Sequence, residues 1–467
     1  MNTFIHAPIL MIFSTLCLSV LTLLFAENKR MKNLSKVIFS INVALCVVLC
    51  AVTMLTVVKS GAIKYSIGSF SGGAGISLLA DFNSSLMVTI ITISFVICSF
   101  GCIATKISNY VLGFVGLAFA GLCGMCLTND FFNFYVFLEL SSISIYTLIS
   151  ANHYNRAACK VAFDYLIIGS IAGIFVLIGI MFIYSSTGHL NMRIISNIVS
   201  SNLFAENKNT ILISKAGYAF IVIGLILKAG LYPFHGWVTK AYINSAPSVA
   251  GFLAGCVGKV ALFNIYKVNQ VLLINDDIIH FAELFAKIIN IACVCGIVII
   301  SFNIVNAKYL RKEISLSSVM QSSFTLLCIF SFNSTMFNAA MWQMLAHTIS
   351  IGTIFTSIEL SSFWERGGKT IYETKKQTST EVLHYECTNF HRRIHFGNPL
   401  VKLIFIMLFL NIAGYPITIG FFAKLSMMST AILLQEFALF AAIAASAIFS
   451  MVYIWKIIER KMFFDNN

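Results

Sequence analysis

Lys228 lies inside the apolar run AFIVIGLILKAGLYPFHGW, which is long enough to cross a bilayer and breaks at Pro233, five positions later. A lysine held at mid-membrane costs roughly 2.5–3.5 kcal/mol on insertion scales, so it persists where it faces a polar interior and handles ions or protons. A proline beside it frees backbone carbonyls that hydrate a cavity or bind a cation. Glu139, in FFNFYVFLELSSISIYTLI, has no basic residue near it in sequence and needs a partner on another helix. Lys228 is the candidate. A carboxylate near an ammonium favours both charged forms while burial disfavours both, which makes a pair that small rearrangements can tip. Such a pair serves either as a proton switch or as an ion pair clamping two helices.

Three more residues extend the set. Lys259, in GFLAGCVGKVALF, stands beside Gly251, Gly255 and Gly258, which permit close helix approach or leave room for water. It reads as a relay lysine, with snorkelling to the surface as the alternative. Lys424, in GYPITIGFFAKL, follows a second helix break at Gly414 and Pro416. His347, in MLAHTISIGTIF, is the one histidine inside a clear apolar span and is either a relay member or a satisfied core residue. His235, beside the first break, is open in the same way. Asp81 and Asp130 fall near span ends and read as helix caps, whereas Asp164 is deeper and calls for a polar neighbour.

The elements that must hold these residues are transmembrane helices. Charged residues make up 10% of the 467 and apolar ones 58%, far from the roughly one-quarter charged fraction of a soluble domain. Apolar stretches give some thirteen spans, near residues 6–25, 37–58, 83–105, 108–128, 131–150, 161–184, 212–233, 246–268, 281–304, 315–331, 337–360, 400–432 and 434–456, the tenth short and the twelfth interrupted. The first lacks a basic leader and a small-residue cleavage site, so it reads as a retained helix. The 13 cysteines lie almost wholly inside spans, with no two C-x-x-C elements to pair with one another, and read as small buried residues and not as metal ligands or a redox centre. No phosphate-binding loop, H-E-x-x-H or other cofactor or metal set is present. Chemistry here is proton or ion movement.

The net charge of +13 does not indicate nucleic acid, because Lys and Arg are distributed by loop. Lys29 to Lys36, Lys106, Arg156 and Lys160, Lys240, Lys308 to Lys312, the segment 361–402 and the tail Lys456, Arg460 and Lys461 all fall on one side of a thirteen-span layout. The positive-inside rule makes that side cytoplasmic, with the N-terminus outside and the C-terminus inside. The polar segment 361–402 reads as a docking surface for a partner subunit or as a solvated loop.

The breaks AGLYP at 229–233 and AGYP at 413–416 lie five spans apart, and an odd offset places two copies in opposite orientation across the membrane. That is the layout of inverted repeats that build a midplane site from discontinuous helices. The expected organisation is N-terminal helices over 1–107, a first five-helix repeat over 108–270 and a second over 281–457, with a cytoplasmic loop at 361–399.

The segments GISLLADFNSSLMV, NDFFNFYVFLELSSISIYTLIS, STGHLNM, LKAGLYPFHGWVTKAYINSAPS, LSSVMQSSF and AGYPITIGFFAKL resemble those of the antiporter-like membrane subunits shared by Mrp-type cation/proton antiporters, respiratory complex I and membrane-bound hydrogenases. Within that family the chain is most similar to the D-type members of Mrp antiporters, then to the M- and N-type members of complex I. The resemblance implies two inverted five-helix repeats and a buried polar axis carrying protons. It places Glu139, Lys228, Lys259 and Lys424 on the family's fifth-, seventh-, eighth- and twelfth-helix charges. It also implies a subunit of a larger membrane assembly exchanging protons for Na+ or K+, or a proton-translocating subunit of a redox complex that itself bears no redox centre. A non-transporting scaffold is a third reading. The chain departs from the family pattern at three places: Lys240 where an acid is common, Asp164 near a usual Lys, and Ile351 where a Lys is usual. Ile351 threatens to dry the relay between His347 and Lys424.

Overall fold

In hydrocarbon a spanning segment can satisfy its backbone N–H and C=O groups only within itself or in a closed barrel, so apolar runs of this length become α-helices. The computed structural model describes residues 5–28, 30–67, 75–151, 156–307, 309–365 and 399–459, and these residues form seventeen helices. In chain order they are α1 (Ala7–Ala26), α2 (Lys32–Ser60), α3 (Phe82–Ala104), α4 (Asn109–Leu127), α5 (Phe131–Ser150), α6 (Arg156–Thr187), α7 (Met192–Val199), α8 (Asn202–Glu206) and α9 (Lys208–Ala229). There follow α10 (Gly236–Asn244), α11 (Pro247–Leu272), α12 (Asp276–Val305), α13 (Leu310–Ile329), α14 (Ser334–Glu365), α15 (Pro399–Ala413), α16 (Ile419–Leu433) and α17 (Phe437–Ile458).

Among the described residues ten helices, α1 to α6, α9, α11, α12 and α17, are long and apolar enough to cross a membrane, against the thirteen spans expected. The shortfall has physical causes. α13 is buried from Glu313 to Ile329 and is rich in Ser, with Gln321 among them, α14 carries Gln343, His347 and several Ser and Thr, and the twelfth span is cut into α15 and α16. Residues 366–398, most of the expected 361–399 loop, lie outside the described residues.

One element departs from the all-helical expectation. After Gly61, whose φ of 82° suits glycine, β1 (Ile63–Ser66) pairs antiparallel with β2 (Ser77–Ala80), Ile63 opposite Ala80. This hairpin ties several helix ends together. Leu78 bridges to Thr128, Asp130 bridges to Asn191, and Asn191 donates to Ser77 Oγ at 2.8 Å. The aspartates at the span ends cap as their positions suggest: Asp81 accepts from the Ser84 amide at 2.8 Å and Asp130 from the Asn133 amide at 2.9 Å. Lys267 donates to the carbonyls of Cys126, at 3.0 Å, and Thr128, which are orphan acceptors at the end of α4.

Small residues let the helices that carry charge approach closely. On the α6–α9 seam a Cβ at Gly224 would meet the Ala172 carbonyl at 2.7 Å, and one at Gly179 the Gly217 carbonyl at 2.8 Å. α11 and α14 run antiparallel in a register pinned at several points. Ser248 N–H donates to Glu359 Oε2 at 2.8 Å, Thr348 Oγ1 donates to the Gly255 carbonyl at 2.8 Å, and Tyr266 stacks on Phe337.

Two interruptions complete the frame. α9 ends at Ala229, Gly230 takes the left-handed conformation at φ 63°, the Tyr232–Pro233 bond is cis, and α10 starts at Gly236. α15 ends at Ala413, Gly414 has φ 80°, and α16 starts at Ile419 after Pro416.

Candidate functional site

The five ionisable residues singled out from sequence are carried by five different helices, and the register above brings them into two groups. Lys228 (5% exposed), Lys259 (3%), His347 (2%) and Lys424 (3%) are all buried, so none of them snorkels to the surface. Glu139 is half-buried.

The first group joins α5, α6 and α9. Lys228, in the last turn of α9, donates to Ser142 Oγ of α5, one turn beyond Glu139 on the same helix. Glu139 is within electrostatic reach of the ammonium, but the two do not close a direct ion pair. The carboxylate rests where Gly173 of α6 has no side chain, since a Cβ there would collide with Oε1. Tyr135 and Tyr146 are its electrostatic neighbours on α5. The Ser142 hydroxyl itself donates to the Leu138 carbonyl of α5 at 2.6 Å, so the ammonium is held by a hydroxyl on the acid's helix and not by the carboxylate.

The second group joins α11, α14 and the broken helix. Lys259 points its ammonium at the Ala254 carbonyl of its own helix, and the adjacent Gly258 faces the Ala229 carbonyl next to Lys228. His347 lies within electrostatic reach of both Lys259 and Lys424. Neither ring nitrogen of His347 has a hydrogen-bond partner. Lys424 donates to the carbonyls of Ile412, at 3.1 Å, and Ala413, at 2.8 Å, acceptors that the break at Gly414 leaves free. The two lysines near the breaks are therefore not equivalent: Lys424 binds the carbonyls of its own break, whereas Lys228 turns away to a side chain on α5.

Ile351, the departure that threatened to dry the path, is fully buried one turn beyond His347. Polar contact across this point runs through Asn411, whose Nδ2 donates to the Ala346 carbonyl at 3.0 Å and Ser350 Oγ at 2.7 Å while its Oδ1 accepts from the Gly420 amide at 2.9 Å. Replacing Asn411 with Leu is expected to speed hydrogen exchange at the Gly420 amide by about tenfold, the effect of losing one buried hydrogen bond. Exchange at α5 should stay unchanged. An unaltered Gly420 rate would show that Asn411 does not hold the break.

Sequence reasoning missed Ser142, Asn411 and a polar branch from α14. Gln343, one turn before His347, donates to Gln321 Oε1 at 2.8 Å, and Gln321 donates to Ser450 Oγ at 3.2 Å. The polar string LSSVMQSSF was the available signal for α13, and the three-residue offset from Glu139 was the signal for Ser142. His235 caps no helix with its side chain and stacks on Tyr232, apart from both groups. Pro233, Gly414 and Pro416 sit in the interruptions and do not contribute polar side chains. Asp164 and Lys240, two departures from the family pattern, line one cavity together. No group of three metal-ligating side chains occurs among the described residues.

Residues 128–450 match the family model described as NADH:quinone oxidoreductase/Mrp antiporter, transmembrane. The chain is 28% identical over 347 residues to the N subunit of NADH-quinone oxidoreductase from Desulforudis audaxviator, an alignment covering 73% of this chain and 63% of that protein, a little under two thirds of its length. It is 23% identical over 462 residues to the D subunit of the Na(+)/H(+) antiporter from Alkalihalophilus pseudofirmus, covering 97% and 86%. The fold superposes on a chain of the Mrp complex from Dietzia sp. DQ12-45-1b with a TM-score of 0.82 at 21% identity, covering 100% of this chain and 82% of that one. A chain of an archaeal membrane-bound sulfane sulfur reductase gives 0.83 at 21% identity, covering 98% and 89%. With buried lysines on interrupted helices, this chain belongs to the NADH:quinone oxidoreductase/Mrp antiporter transmembrane family.

Proposed function

We propose that the chain is a membrane subunit of a multisubunit antiporter that exchanges protons for Na+ or K+, with protons passing along Glu139, Lys228, Lys259, His347 and Lys424. The observation that carries this reading is His347, buried between two buried lysines with both nitrogens free of partners. A structural histidine is normally satisfied by hydrogen bonds, whereas one that passes a proton between neighbours must be able to offer and accept on either side. Ser142 would mediate between Glu139 and Lys228, so that a proton arriving at the carboxylate loosens the hold on the lysine. Lys259 would connect the two groups, and Lys424 would deliver or collect protons at the second break.

Within this reading the repeats are 108–270 and 281–457, the thirteen expected spans all cross, and charge distribution sets the N-terminus outside and the C-terminus in the cytoplasm of a bacterial plasma (inner) membrane. Other membrane subunits supply the remainder of the cation path. The second reading, a proton-translocating subunit of a quinone- or hydrogen-linked redox complex, is favoured by the similarity to the N subunits of NADH-quinone oxidoreductases.

The test is reconstitution of the whole native complex in sealed vesicles with a pH-sensitive dye. Antiport predicts proton movement on adding NaCl or KCl in the absence of any electron donor. Proton movement that appears only with an electron donor and quinone would replace the first reading by the second.

A further inference from the structure

A cavity of about 700 Å³ opens between α6, α9 and α10, beside the first helix interruption. Its size falls within the roughly 300–1,000 Å³ of small-molecule sites. Its walls are apolar, with Ile171 and Phe175 of α6, Leu227 of α9 and Pro233 of the interruption, yet Asp164 and Lys240 both line it. These two opposite charges make no ion pair with one another. Trp237 also lines the cavity; it is buried, and its indole Nε1–H has no hydrogen-bond partner. Its ring is held by Tyr165, stacked at 4.1 Å and 11°. The outer face of α6 around the opening is exposed and apolar, with Phe163, Ile171 and Ile174, so the cavity faces hydrocarbon and not water.

We propose that this cavity binds a zwitterionic phospholipid, with one acyl chain along the α6 wall, the phosphate at Lys240, and the headgroup ammonium at Asp164. Charge complementarity selects this occupant. A soluble anion would leave the apolar wall uncovered, and an anionic lipid would set negative charge against Asp164, whereas ethanolamine phospholipid matches both charges. Lys240 is exposed and Asp164 partly buried, and one molecule would answer both. The site lies outside the relay, because neither Glu139 nor Lys228 lines it.

Trp237 is its own reporter. It is 7% exposed, while Trp342, Trp364 and Trp455 are 52%, 73% and 68% exposed. With those three changed to Phe, the full chain is placed in nanodiscs of phosphatidylethanolamine or of phosphatidylglycerol, each brominated on its acyl chains. Quenching of Trp237 is expected to be about two- to fivefold stronger with the ethanolamine lipid, the range for one partly exposed charge pair. Asp164→Asn should remove that preference and keep quenching in both discs, and Lys240→Gln should weaken quenching in both. A second measurement needs no tryptophan changes: mass spectrometry of lipid retained by the purified chain should show ethanolamine lipid falling relative to glycerol lipid in Asp164→Asn. Equal or absent quenching in the two discs, with no change in retained lipid, overturns the proposal. So does efficient disulfide cross-linking of Ile171→Cys to a neighbouring subunit in the intact complex, which would show that protein fills the cavity.

Discussion

Vesicles containing the complex with Lys228→Ala should lose cation-driven proton movement by about a hundredfold or more, the scale of a removed general acid–base group. Lys228→Arg should lose it as well. Arginine keeps the charge and can still donate to Ser142 Oγ, but it does not release its proton in a protein, so the fold is kept while the cycle stops. That pair of variants separates proton carriage from charge balance. The amount of assembled complex, measured on native gels, should be unchanged in Lys228→Arg. If Lys228→Ala transports normally while deletion of the whole chain lowers the abundance of the complex, the chain is a scaffold and the relay assignment fails.

The second large effect is expected at His347, where transport and stability should move in different directions. Two buried nitrogens without partners each cost about 1–3 kcal/mol when left unsatisfied. His347→Leu removes them and fills similar space among apolar neighbours on α14. Thermal unfolding in detergent should therefore occur at an equal or higher temperature than in the native chain. Proton movement should fall about a hundredfold, as for Lys228→Ala, because no group then links Lys259 to Lys424. Lower stability together with unimpaired transport would identify His347 as a packed core residue and end its role in the relay. The combination of gain and loss distinguishes this site from a general folding defect, which lowers both.

The features legible in the sequence are those governed by local rules. Asp81 and Asp130 could be read as caps because a cap needs only the residues of the next turn. The helix breaks at 230–235 and 414–418 could be read from Gly and Pro, whose effects on backbone are also local. Glu139, Lys228, Lys259 and Lys424 stood out because a charge in an apolar run is costly wherever it sits. What could not be read was which of them meet. That Lys228 reaches Ser142 and not Glu139 depends on how α9 sits on α6 and α6 on α5, through contacts such as Gly224 on the Ala172 carbonyl and Gly173 against Glu139, between residues some thirty to fifty apart. The hairpin was missed because two four-residue strands carry too little periodicity to separate from loop.

The three bonds of Asn411 give the interrupted helix a mechanical property. One amide grips α14 at Ala346 and Ser350 and holds the first turn of α16 at Gly420, and Ala346 is the residue before His347. Any tilt of α16 therefore pulls on the backbone beside the imidazole. Lys424 holds the carbonyls of Ile412 and Ala413, the residues that directly follow Asn411. Asn411 thus joins the helix of the lysine to the helix of the histidine through a single side chain.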